Sequence, residues 1–293
     1  MPGETVASPV GAAPGAVRDD RILPETKVLA VVVIPALLAA STILFIFPAH
    51  TGDLFAWEIK AHMSGAALAV PYIAGAYYFA RVLTGSRWHH FAPGLLPVGA
   101  FTLVQGIATV LHWGLFNHDH VAFWAWALIY LTTPALVPLV WWRNQATDPG
   151  TPDPDDVEIP RAVRIGFLAA GAGQLTIALF LVLFPNTAID IWPWHLTPLT
   201  ARTTAGWFAF GLFFLMFARE TRWSAARVTF QALLLGLTLA IVSVIRWWEE
   251  FHTERIATWV FVVGLVSLTA LMALLYAVME RRRGAGFSAT RTT

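Results

Sequence analysis

The sequence predicts an all-α, polytopic membrane protein with eight transmembrane helices, built as a tandem parallel repeat of two four-helix units. Three observations carry that expectation. Hydrophobic residues make up 57% of the 293-residue chain and charged residues only 13%, for a mean hydropathy of +0.62, whereas soluble domains carry about 25% charged residues. The apolar residues fall in eight blocks of about 20, the length a helix needs to cross roughly 30 Å of hydrocarbon. The second half of the chain also repeats the first.

Residues 1–24 are rich in Gly, Pro and Ala, carry charges and lack an apolar run, which predicts a disordered cytoplasmic tail and no signal peptide. The spans are expected near residues 27–47, 61–83, 92–112, 121–142, 163–184, 198–218, 225–246 and 256–279. Residues 27–142 form the first four-helix unit and 163–279 the second. Pro35, Pro71, Pro93, Pro97, Pro134 and Pro138 lie within or at the ends of first-half helices, so kinks and a cavity are expected there. In the second half Thr197-Pro198 reads as an N-cap and first-turn proline. Between the units, residues 144–160 hold five acids and four prolines and read as a flexible cytoplasmic linker too polar to pack. Residues 280–293 form a second cytoplasmic tail. Small residues, among them Gly65, Ala69, Gly171, Ala172 and Gly173, favour close helix packing.

The repeat is legible residue by residue. Phe47, Pro48, Asp53 and Trp57 match Phe184, Pro185, Asp190 and Trp194, and Arg87-Trp88 matches Arg222-Trp223. L-V-Q-G-I-A-T-V-L-H-W, ending at Trp113, matches L-T-L-A-I-V-S-V-I-R-W, ending at Trp247. Phe116, Ala122 and Trp124 match Phe251, Ala257 and Trp259, at an offset that stays between 134 and 138. Four spans per half return the chain to its starting side, so the copies should share one orientation, related by a pseudo-two-fold axis along the membrane normal.

The composition removes several chemistries. There is no cysteine, so disulfides, thiolate metal sites and cysteine nucleophiles are excluded. A net charge of +1 leaves no nucleic-acid footprint. There is no phosphate-binding glycine loop, no H-E-x-x-H and no nucleophile elbow. No acid lies deep in a span. The deep polar residues, such as Gln105, Gln174, Thr102 and Ser243, are neutral, which argues against a carrier driven by an intramembrane carboxylate.

Polar chemistry gathers at the expected outer face. Lys60 and Arg202 sit near helix starts, where the helix dipole repels a cation, with Asp190 and the Glu249-Glu250 pair as the expected partners of Arg202. Lys60, Arg202 and Arg246 make a candidate anion pocket, with Trp194 in its aromatic surround. His62 and His112 are candidates for haem or a metal if their helices meet; His118-Asp119-His120 is a weaker metal signal. No catalytic residue is assigned and the cofactor is left open.

Three function classes remain. The favoured one is a small-molecule permease or ligand-binding membrane protein, with an outward-facing basic and aromatic site (Arg202, Arg246, Lys60, His62, His112, Trp194) between the repeats. The others are a non-catalytic subunit of a larger membrane complex and a haem- or metal-dependent membrane redox enzyme using outer-face histidines. The partners expected are the lipid bilayer and, in the second class, other membrane subunits.

Fifteen Lys and Arg residues fall on the side of the N-terminus and only Lys60, Arg202, Arg246 and Arg255 on the other. The positive-inside rule therefore places both termini in the cytoplasm, with the protein in the plasma (inner) membrane. A reporter active only outside the cell, fused after Thr293, should be silent, and one that fluoresces only in the cytoplasm should be bright.

Overall fold

The computed structural model describes residues 18–290, with side chains through Ala285. It is all-helical, and among the described residues eight helices are long and apolar enough to cross a membrane. They are α1 (Pro24–Ile46), α2 (His62–Thr84), α3 (Ala92–Leu111), α4 (Val121–Gln145), α5 (Arg161–Leu183), α6 (Pro198–Arg219), α7 (Trp223–Arg246) and α8 (Ile256–Thr290). Their ends lie within three residues of the expected ones except at the end of α8. A long uninterrupted apolar run has one low-energy solution in hydrocarbon, a helix that satisfies its own backbone.

Neighbouring helices pair as hairpins: α1 on α2, α3 on α4, α5 on α6 and α7 on α8. Further packing joins the halves through their central helices, with α2 against α7 and α3 against α6. Four clusters of buried side chains result. Two lie at the end of the bundle carrying the loops 47–61 and 184–197, here the far face, and two at the end carrying the linker, the terminal face; three of the four join residues of both halves.

Close helix approach depends on particular glycines. A Cβ on Gly106 would stand 2.5 Å from the Tyr130 carbonyl oxygen, binding α3 tightly to α4. Gly171 on α5 and Gly211 on α6 oppose each other, each Cβ position 2.8 Å from the other's carbonyl oxygen. Gly173, also named for packing, has nothing within 4 Å of its Cβ position.

Two local expectations change. The helices that carry the interior prolines, α1, α2, α3 and α4, each run as one continuous helix, and an interruption of the helical ladder comes in the second half, where none was expected. α6 divides at Phe210 into Pro198–Ala209 and Gly211–Arg219, where a tight bond from Phe213 N–H to the Phe210 carbonyl interrupts the regular ladder. The stack of Phe101, Phe210 and Phe213, with centroids 5.1 and 5.2 Å apart, fills that bend.

The linker is docked, not loose. Asp148 pairs with Arg222 at 2.8 Å, Asp155 with Arg283 at 2.7 Å, Asp153 with Arg87 and His90, and Ile159 is 1% exposed. Its acids pack because helix ends far away in sequence supply the cations. Of the expected tail, residues 1–17 lie outside the described residues, while Asp20 and Ile22 are buried. Asn144, at the end of α4, accepts from Leu23 N–H and Thr26 Oγ1 and donates to the Arg21 carbonyl.

The glycine contacts give a direct test. Gly171→Ala should cost about 1–3 kcal/mol and lower the thermal midpoint in detergent, while Gly173→Ala on the same helix should leave it within about 0.5 kcal/mol of the parent.

Candidate functional site

The far face holds the residues singled out in sequence, and it holds them in two separate junctions. In the first, Arg202 Nη1 donates to His112 Nε2 at 2.7 Å and Arg202 Nε donates to the Val182 carbonyl at 3.1 Å. Its partners are thus an imidazole and a helix-end carbonyl, not Asp190 or the glutamates. In the second junction Glu250 caps α2. Its carboxylate accepts from His62 N–H at 2.9 Å and Met63 N–H at 2.8 Å, and it pairs with His62 Nδ1 at 2.8 Å. Arg246 beside it donates to the Phe45 carbonyl at 2.8 Å and lies over the Trp247 ring at 4.5 Å.

These contacts answer an elementary demand. Val182 and Phe45 sit in the last turns of α5 and α1, where carbonyls lack intrahelical partners and a cation is favoured by up to about 2 kcal/mol. The α2 N-terminus takes a carboxylate for the converse reason. Trp194 is buried against Phe251 and Phe261 and donates to Ser64 Oγ at 3.0 Å. Lys60 is exposed. His62 and His112 belong to different junctions, and His120 Nδ1 caps α4 by accepting from Ala122 N–H.

Between the two faces lies a cavity of about 760 Å³ lined from all eight helices. Its walls are almost wholly aliphatic and aromatic, including Leu37, Tyr72, Phe101 and Trp126 in the first half and Trp207, Phe210, Phe213 and Phe261 in the second. Gln174 on α5 and Val260 and Gly264 on α8 are among its lining residues. Trp192 lines it too, and its buried indole N–H finds no acceptor among the described residues. No residue of either far-face junction lines this cavity.

The terminal face carries a polar network. Asp20, the one non-glycine residue with a left-handed backbone among those described (φ 57°), accepts from His89 N–H at 3.0 Å and lies 2.5 Å from His89 Nδ1. His89 Nε2 is 3.2 Å from Ser224 Oγ and 3.4 Å from Asp153 Oδ1. Asp156 closes the chain, accepting from Ser224 N–H at 2.8 Å and Ser224 Oγ at 2.5 Å. His90 Nε2 lies 2.8 Å from Asp153 Oδ2. His89, His90 and Asp153 are the one set of three potential metal ligands found among the described residues, with donor atoms within 4.8 Å of one another.

Charges here are held by their neighbours. Burial raises Asp148 and Asp153, but Arg222 in the first case and His90 in the second outweigh it and hold both carboxyls below their ordinary range. Burial lowers His90, and the bond to Asp153 only partly offsets that.

The sequence reading missed this face because it treated the segments holding Asp20 and Asp153 as unpacked. A signal was present: D-D-R-I-L-P from Asp19 and D-D-V-E-I-P from Asp155 precede α1 and α5, and their second aspartates bind the loops that begin Arg87-Trp88 and Arg222-Trp223. Compared with protein-family models, curated proteins and solved structures, the chain matches none.

Just beyond the end of α3, His112 has its proton affinity lowered by burial and then by Arg202, only partly offset by the backbone of Pro198. The folded protein therefore takes up this proton less readily than the unfolded chain. The resulting stability is present above the ordinary value of 6.5 and is lost as pH falls through it. The drop in thermal midpoint from roughly pH 7 to roughly pH 5 should be smaller in His112→Gln than in the parent.

Proposed function

We propose that this multi-pass membrane protein is a permease or ligand-binding protein for an apolar small molecule carrying a hydrogen-bond acceptor. The observation that carries the reading is the apolar cavity between the helices, partly open to the outside and about 760 Å³ in volume, within the roughly 300–1,000 Å³ range of small-molecule sites. The unpaired Trp192 N–H is the polar group that would orient such a molecule. Arg202 and Arg246 support the frame of this site rather than its chemistry, because each already serves a helix-end carbonyl.

The two halves are read as copies of one four-helix unit about a pseudo-two-fold axis. Support comes from packing pairs that exchange under the repeat, α2·α7 with α6·α3 and α1·α2 with α5·α6. Far-face loops follow the same rule: Asn117 N–H donates to the Ala56 carbonyl, as His252 N–H does to the Pro193 carbonyl. A cavity built from both copies is the place where relative motion of the halves would act on a bound molecule.

Protein purified in mild detergent should retain one apolar or amphiphilic compound in stoichiometric amount, identified by mass spectrometry of a solvent extract. Gly264→Trp, at a cavity position with nothing within 4 Å of its Cβ site, should cut retention at least about tenfold, the cost of steric overlap in a packed site. An extract holding only bulk lipids in bulk proportions, identical in the variant, would overturn the reading.

A further inference from the structure

The hydrogen-bond inventory at His89 leaves one atom without a suitable partner. Asp20 is an acceptor, so the 2.5 Å contact to its Oδ2 requires a proton on His89 Nδ1. Ser224 has a single hydroxyl proton, and the 2.5 Å charge-assisted bond to Asp156 claims it over the 3.2 Å contact to His89. His89 Nε2 therefore points at two acceptors, Ser224 Oγ and Asp153 Oδ1. Buried at 1% exposure, that nitrogen needs either a second proton or a cation between it and the carboxylate.

We infer that His89, His90 and Asp153 form a binding site for a divalent late first-row metal ion of the zinc type. Two imidazole nitrogens and one carboxylate are a ligand set such ions accept, with water completing the shell. In a tetrahedral zinc site the ligand atoms lie about 3.3 Å apart, as follows from bonds of about 2.0–2.1 Å. Here His89 Nε2 stands 3.4 Å from Asp153 Oδ1 and His90 Nε2 stands 2.8 Å from Asp153 Oδ2, and one donor atom from each residue lies within 4.8 Å of the others, so small side-chain shifts would bring the three to that spacing. Asp20 completes the arrangement: a carboxylate on Nδ1–H fixes the tautomer that leaves Nε2 free to ligate, as outer carboxylates do at histidine-bound metals.

Arg87 is the internal competitor. Its guanidinium holds the Asp153 carboxylate, and its side chain is 49% exposed, so it has room to turn into solvent when a metal takes that carboxylate. Metal binding would join the loop after α2 to the linker between the halves, and through Asp20 to the N-terminal segment.

The test uses the full-length protein, purified through a tag that contains no histidine, stripped with chelator and titrated with Zn²⁺ against a chromophoric competitor. Co²⁺ serves as a spectroscopic stand-in. One equivalent should bind, with the visible absorption of a four- or five-coordinate Co²⁺ site. His89→Ala risks misfolding by leaving Asp20 unpaired, so His90→Gln and Asp153→Asn carry the test; each should weaken binding at least about tenfold. Arg87→Ala should tighten it. Failure of the parent to bind one equivalent would overturn the inference, leaving Nε2 with a proton instead. Equal binding in His90→Gln and Asp153→Asn would also overturn it, placing the metal elsewhere.

Discussion

A helix leaves four N–H groups and four carbonyls without intrahelical partners at its ends, and where neighbouring helices cover those groups the protein must supply the partners itself. Many of the charged side chains between the helices answer that constraint. Arg202 and Arg246 serve carbonyls at the ends of α5 and α1, Glu250 caps α2, and Asp156 holds the first turn of α7. These groups reach from one helix to the end of another, so satisfying the ends also sets the helix arrangement.

The constraint divides the molecule into layers. At both faces most polar groups find partners, and at the far face bulky aromatics seal the space beneath them, Trp57 and Phe116 at 5.1 Å in one half and Trp194 and Phe251 at 5.4 Å in the other. Between the faces no charges are needed, and the hairpins of each half stand apart around an apolar cavity. Pairing at the ends is what allows the middle to be loosely filled: the helices are held where Coulombic and hydrogen-bond energies are large, and dispersion contacts in the middle need not close every gap.

The terminal face shows how far side-chain chemistry exceeds sequence pattern. Arg222 binds Asp148 and Glu220 together, and the three acids read as a solvated linker charge run, Asp148, Asp153 and Asp156, each meet a partner 63 to 74 positions away. Composition suggested a tether because it counts charges without seeing where opposite ones lie. The same blindness applied to His89, which has no periodicity or spacing to mark it, although the paired D-D-x-x-x-P segments stood in the chain.

The sequence by itself determined the eight helices and most of their ends, though not the end of α8 or the interruption of α6, because the length of an apolar run is a local property and hydrocarbon allows that run one conformation. It also exposed the match between the halves. Only the tertiary structure decided which charges meet. His89 is 69 positions from Asp20 and 135 from Ser224, and Arg202 is 90 from His112. Interactions of that range depend on how helices pack, and packing in an apolar bundle is settled by shape and by the few polar groups that must find one another.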